Sequence, residues 1–431
     1  MRTITTILPM TLLLFLGPLA PVVAEPIAQP LSLRQFEQSA RAELNGNILA
    51  WWLAHSIDTQ NGGFLGRITN DNTPIPDAPK GLVLNARILW TFAAAFRGER
   101  NPAYLRMADR AYDYLAARFL DPQHGGAYWM LDCKGNPTDE SKELYGQAFV
   151  IYALAEYHLA TQRGEPLAQA LDLFRLIDAK CHDNDHGGYF ETFSRDWTPA
   201  PNARLAYGVD SAAKTMNTHL HVLEAWTNLY RATKDELLAR RLREMINLLT
   251  AKIINPHTYH FELFFDAQWN SQKPVVSFGH DIEGSWLLTE AAEVLGDAQL
   301  FEHVKAISIQ MADACLTEAL DKDGGLFYEA EHGKITIAAK HWWAQAEAAV
   351  GFLNAWELRP ERRFLRAARA NWQFILAHQI DREHGEWFSV APLDKAPDPK
   401  AHKASEWKAP YHNARACMEL SRRLHHLQQV E

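Results

Sequence analysis

One phrase recurs along this 431-residue chain and sets its architecture. It reads Asp58-Thr-Gln-Asn-Gly-Gly-Phe64, then Asp121-Pro-Gln-His-Gly-Gly-Ala-Tyr128, then Asp183-Asn-Asp-His-Gly-Gly-Tyr189. It returns as Asp321-Lys-Asp-Gly-Gly-Leu-Phe327 and Asp381-Arg-Glu-His-Gly-Glu-Trp387, with a degenerate copy, Asn255-Pro-His-Thr-Tyr-His-Phe261, between them. Successive starts lie 63, 62, 72, 66 and 60 residues apart, a period that marks repeated supersecondary units. Each copy closes a helix, turns on glycine and enters a short aromatic-rich extended stretch.

Between the copies lie pairs of segments with helical period, apolar residues returning at three and four positions as in Leu242, Met245, Ile246 and Leu249. The pairs are Lys80–Phe96 with Pro102–Leu120, Lys142–Thr161 with Glu165–Cys181, Lys214–Thr233 with Asp235–Ile254, Phe278–Leu295 with Ala298–Ala319, and His341–Leu358 with Arg362–Ile380. Leu33–Ile57 opens the series and Ala409–Leu427 ends it. Six helical hairpins at this period predict an all-α fold, an (α/α)6 barrel with six inner helices ringed by six outer ones. An open superhelix would carry polar capping repeats, and neither terminal segment reads as one.

Several classes of function are excluded early. A formal net charge of -9 leaves no basic stripe to neutralise phosphates, so no nucleic-acid partner is expected. The four cysteines, Cys133, Cys181, Cys315 and Cys417, show no CxxC spacing and read as buried free thiols. At the N-terminus, Arg2, the apolar run Ile7–Leu19 and the small residues Val22-Val23-Ala24 read as a secretory signal peptide, expected over residues 1–24. The run is too short to span a bilayer comfortably. Residues 25–431 are then expected as one domain outside the cytoplasm, secreted or periplasmic, monomeric, and free of the membrane once the leader is removed.

Chemistry concentrates in three histidine islands: Asn217-Thr-His219-Leu-His221, Gly279-His280-Asp-Ile-Glu283, and Trp407-Lys-Ala-Pro-Tyr-His412-Asn413. Each opens the first, inner helix of a hairpin, so the fold alone can bring them together. Histidine titrates closest to neutrality, and a pocket holding several suits proton transfer. Arg87, amid Leu84, Ile88, Leu89 and Trp90, must be paired or face a polar cavity. Arg87 and Tyr145 are read at places equivalent to the islands. His280 and Glu283, three apart, share a helical face, where a carboxylate can orient the imidazole; so do Asn217 and His221, four apart. His219 then points away from the cavity and is expected to be packed or on the surface. The HxxE spacing of His280 and Glu283 also occurs in metal sites, but no second pair completes a shell, so neither metal nor cofactor is expected. Trp342, Trp343 and Trp407, with Gln345 and Glu347 nearby, read as hydrophobic plugs or as platforms for sugar rings.

Taken together, Lys80–Trp90, Lys214–His221, Gly279–Glu283, Trp342–Ala348 and Trp407–Asn413 resemble the N-acylglucosamine 2-epimerase superfamily, and within it the branch of cellobiose 2-epimerases. The likeness runs from about residue 33 to residue 425. It implies the barrel just described and metal-free epimerisation at C2 of the reducing-end sugar of a β-1,4-linked disaccharide or oligosaccharide such as cellobiose or mannobiose. It further implies that His280 and His412 exchange the C2 proton, with Glu283 tuning His280, His221 serving ring opening and Arg87 holding the oxyanion. Tyr145 and Asn217 would bind hydroxyls, while Trp342, Trp343, Glu347 and Trp407 would line the sugar site. The rival readings are a mannose-type aldose–ketose isomerase or an N-acylglucosamine 2-epimerase of the same superfamily, and more distantly a glycoside hydrolase or a sugar-binding protein. A hydrolase needs two carboxylates flanking the bond, where these positions offer histidines.

Overall fold

Thirteen α-helices carry the chain in a computed structural model that describes residues 31–430 apart from positions 201, 207, 208, 210, 211 and 395. The signal-peptide reading falls on residues 1–24, outside the described residues. From Leu31 onward the chain forms one compact body, and no described helix is long and apolar enough to cross a membrane.

In chain order the helices are α1 (Leu33–Glu43), α2 (Ala50–His55), α3 (Leu82–Glu99), α4 (Pro102–Tyr114), α5 (Leu144–Thr161), α6 (Gly164–Cys181) and α7 (Met216–Thr233). There follow α8 (Glu236–Leu248), α9 (Phe278–Leu295), α10 (Ala298–Glu318), α11 (Trp342–Leu358), α12 (Arg362–Phe374) and α13 (Tyr411–Val430). Helix α3 packs on α5, α5 on α7, α7 on α9, α9 on α11, α11 on α13, and α13 returns to α3. These six form a closed inner ring. Their sequences explain their place: α5 and α11 are apolar nearly all round and bury most of their side chains, as a helix covered on all sides must. The outer helices α4, α8 and α12 are amphipathic and bury one stripe. The sixth hairpin is assembled from both ends of the chain, because α1 packs on α13. The (α/α)6 barrel is therefore closed as expected.

The recurring aspartates have a reason that their spacing concealed. Asp58, Asp121, Asp183 and Asp381 each accept two backbone N–H groups of their own turn. Each also receives a buried lysine ammonium: Lys80 at 2.7 Å, Lys142 at 3.0 Å and Lys214 at 2.6 Å, each two residues before the next inner helix, and Lys403 at 2.5 Å from a strand ahead of α13. Asp321 pairs with Lys340 at 2.9 Å. Lys80, Lys142 and Lys214, read in the sequence as the first residues of helices, lie instead in two-residue antiparallel strands just before them. A helical lysine there would lose the ladder that ties it to the neighbouring repeat, as in Lys142–Glu143 against Thr192–Phe193. The ladders and ion pairs gather at one end of the barrel and fix where each inner helix starts.

Candidate active site

Inside that end lies a cavity of about 320 Å³. Arg87, Tyr145, Asn217, His221, His280, Glu283, Trp342, Trp343, Trp407 and His412 all line it. Glu347 sits directly behind, bonded to His412. Arg87, His221, Glu283 and Glu347 are each the sixth residue of their inner helix, so one level of the barrel gathers them from four helices. Tyr145 is the second residue of α5, one turn nearer the helix start than Arg87 in α3, so the two places are not equivalent as the sequence reading had them. Positions one turn apart share a face, and the Arg87 guanidinium accordingly donates to the Tyr145 hydroxyl at 2.9 Å. It also donates to the Trp407 carbonyl at 3.0 Å and lies 4.4 Å over the Phe149 ring.

Three histidines use the cavity in the same way. His221 Nδ1 lies 2.9 Å from Glu224 Oε2, His280 Nδ1 lies 2.7 Å from Ser277 Oγ, and His412 Nδ1 lies 2.7 Å from Glu347 Oε1. Each ring commits Nδ1 to the protein, which leaves Nε2 for the cavity. The Trp343 ring stands 4.6 Å from the His280 ring and 5.7 Å from the His412 ring. His219 points the other way, fully buried, with Nδ1 donating to Thr215 O and Nε2 accepting from the Tyr189 amide. It is packed, as its two-residue offset from His221 predicts.

Burial dominates the electrostatics. It pushes His280 down to about 3, with the nearby His221 adding to the effect. It also lowers His221, and lowers His412 well below the ordinary histidine value with help from Arg87 and Arg415. Neutral imidazoles at pH 7 are able to accept a proton. Against its own burial, Glu224 is held down at about 2 by Arg415 and His221.

The partner of Glu283 differs from expectation. The carboxylate expected to orient His280 instead accepts from Arg415 Nη2 at 2.7 Å and lies 3.9 Å from His412 Nδ1. Three-residue spacing places two groups on one face but does not select between them and a third group arriving from a neighbouring helix. That third group is Arg415, which also donates to Glu347 at 2.7 Å and to Glu224. Arg415, Glu224, Tyr411 and Ser277 were missed in the sequence, although Glu224 follows His221 by three, Arg415 follows His412 by three and Ser277 precedes His280 by three. The spacing rule applied at His280 would have found Glu224 beside His221, whereas Ser277 lies in the strand before α9 and Arg415 reaches carboxylates of neighbouring helices rather than His412.

Ligand atoms of Glu283, Glu347 and His412 lie within 4.8 Å of one another, close enough for a metal ion. The donor set does not fit one, because the Arg415 guanidinium is already the cation bridging both carboxylates. A divalent ion there would face a buried like charge.

The family model for N-acylglucosamine 2-epimerase matches residues 63–416. The chain is 44% identical over 385 residues to the cellobiose 2-epimerase of Bacteroides fragilis, covering 89% of this chain and 98% of that one. It is 38% identical to the cellobiose 2-epimerase of Dictyoglomus turgidum, covering 91% and 100%. The solved structure of cellobiose 2-epimerase from Spirochaeta thermophila superposes with a TM-score of 0.87 at 41% identity, covering 94% of this chain and all of that one.

Proposed function

Because the chain belongs to the N-acylglucosamine 2-epimerase family, and is on that ground a sugar 2-epimerase, we propose that it inverts C2 of the reducing-end unit of a β-1,4-linked disaccharide such as cellobiose or mannobiose. The observation that carries this reading is the pair of neutral imidazoles, His280 and His412, set about the Trp343 ring in one cavity.

The C2 hydrogen of a closed pyranose is not acidic. Opening the ring places it α to an aldehyde, and a base then removes it to leave a cis-enediolate. Inversion requires the proton to leave one face and return to the other, a task for two groups. His280 and His412 take these roles through Nε2, and His221 assists ring opening and closure. Glu347, by holding Nδ1–H of His412, stabilises the imidazolium formed when that ring takes the proton. Glu283 acts with Arg415 on the His412 side rather than as the partner of His280. Arg87 is the preorganised cation for the developing oxyanion, and losing such a group costs about 10² to 10³ in rate. Arg87 Nε, Asn217 Oδ1, Glu283 Oε2 and Trp342 Nε1 are buried polar atoms without a partner among the described residues, which suits a ligand rich in hydroxyls. Tyr145 and Asn217 bind those hydroxyls, and Trp342, Trp343 and Trp407 cover ring faces.

The test is purified protein with cellobiose in heavy water, followed by NMR. Deuterium at C2 together with a mannose-configured reducing end is the expected result. A ketose product would favour the isomerase reading, and no exchange at C2 would remove both. His280→Ala and His412→Ala should each abolish the exchange with the fold intact.

A further inference from the structure

The fourth turn of the barrel breaks the rule that the other five obey. Asn255 stands where they have aspartate, and Val276, two residues before α9, stands where Lys80, Lys142, Lys214 and Lys340 precede α3, α5, α7 and α11. Asn255 Oδ1 still accepts the amides of His257 and Thr258, at 3.0 and 3.3 Å, so the turn survives and only the ion pair is gone.

A different pair replaces it one residue from His280. In α5 and α11 the fourth residue of the inner helix clasps the strand that follows the glycine turn. Gln147 accepts the Ala127 amide and donates to its carbonyl, both at 2.8 Å, and Gln345 treats Leu326 alike at 2.7 and 2.9 Å. In α9 that position is Asp281, fully buried, whose Oδ1 accepts the Phe261 amide at 2.7 Å. A carboxylate has no proton to give the carbonyl and is costly to bury unpaired. Its Oδ2 lies 2.8 Å from His260 Nδ1, while His260 Nε2 lies 3.3 Å from Glu318 of α10.

Resting on the functional reading above for the role of His280, we infer that His260 is a positioning residue. Paired with Asp281, it locks the first turn of α9 and thereby aims His280 at the substrate. Its surroundings agree: burial opposes its charge, but Asp281 and then Glu318 raise His260 to about 9, so the cation persists at neutral pH. Its ring lies 5.8 Å from Phe278, the first residue of α9. The aim matters because a misplacement of about 1 Å at a reacting group can cost about 10² in rate.

The experiment compares full-length wild type with His260→Phe, which removes the donor, and His260→Gln, which keeps a donor for Asp281. The double variant Asp58→Asn with Lys80→Met is the control, giving the first repeat the residue types of the fourth on a helix without histidine. Two readouts are taken: hydrogen exchange of the amides at 278–283, and kcat and KM on cellobiose. For His260→Phe we expect faster exchange at 278–283 and a kcat lower by about tenfold or more, with KM little changed. Gln should recover most of the kcat, and the control, which perturbs the entry to α3 rather than α9, should leave exchange at 278–283 unchanged. Should His260→Phe fail to fold, Asp281→Asn, which keeps the Phe261 contact and removes the charge, is read in its place. Unchanged exchange at 278–283 would overturn the positioning role whatever the activity, and so would looser exchange with undiminished kcat. A wild type that turns over no disaccharide would count against the functional reading, while the exchange arm would still decide whether His260 holds this turn.

Discussion

His412 Nδ1 and Glu347 Oε1 stand 2.7 Å apart, and the same carboxylate oxygen accepts from Arg415. The imidazole is therefore oriented by a group that is itself held from behind, and Nε2 is the nitrogen left to meet substrate. Glu347→Gln removes the charge that favours the imidazolium while nearly preserving volume. Its kcat should fall by about 10²-fold, at the lower end of what a positioned acid or base contributes. Deuterium uptake at C2 should fall in parallel, with the melting temperature close to wild type. A variant with near-normal exchange would detach Glu347 from the chemistry.

The buried imidazoles predict a pH dependence of known sign. His280 in the folded protein sits at about 3, and His221 and His412 are also depressed by burial. An unfolded histidine titrates near 6.5. Below that value the unfolded chain binds more protons, so this contribution to stability is complete above pH 6.5 and is lost as pH falls toward the folded values. His260 acts in the opposite sense: raised to about 9, it stabilises fully below pH 6.5 and loses that contribution as pH rises through 9. Melting temperature should therefore decline on both sides of neutrality, and His260→Gln should flatten the alkaline decline alone.

Much of this could be read in advance, for identifiable reasons. The glycine turns near 60-residue spacing announced the hairpins, and the polar residues at the starts of inner helices announced the cavity, because both are local in sequence. The Asp–Lys pairs were not legible, since the lysine follows its aspartate at offsets from 19 residues (Asp321 to Lys340) to 31 (Asp183 to Lys214). Glu283 was matched to His280 because they share a helix, whereas its partner Arg415 reaches it from α13, 132 residues away in sequence. Contacts between helices decide the second layer of a site, and spacing along one helix does not report them.

The repeat ion pairs yield a stability prediction of their own. Lys80 and Asp58 are both almost fully buried at 2.7 Å. Removing one partner leaves a buried charge, so Lys80→Met should cost roughly 3–5 kcal/mol. The double variant Asp58→Asn with Lys80→Met copies what the fourth turn already tolerates at Asn255 and Val276, and should recover most of that loss in chemical denaturation. A double variant no more stable than the single one would mean that the pair contributes more than mutual neutralisation.

Exhaustive chelation should leave turnover unchanged, because Arg415 fills the cation position between Glu283 and Glu347. Loss of activity in EDTA, restored by a divalent ion, would require Arg415 to move aside and would make Glu283, Glu347 and His412 ligands.

Trp407 separates the sugar-binding reading from a structural one. It is half-buried at the cavity wall, its ring 5.9 Å from both Trp129 and Tyr145, and its carbonyl accepts from Arg87. That backbone tie survives substitution of the side chain, so Trp407→Ala tests the ring alone. If the ring were a core element, its loss would cost roughly 3–5 kcal/mol and reduce activity on every sugar together. If it covers the second ring of the disaccharide, the melting temperature should barely move, while kcat/KM on cellobiose falls and that on a monosaccharide does not. The exposure of the indole to the cavity favours the second outcome. A large fall in melting temperature with equal losses on both sugars would assign Trp407 to packing and leave Trp342 and Trp343 as the rings that meet substrate.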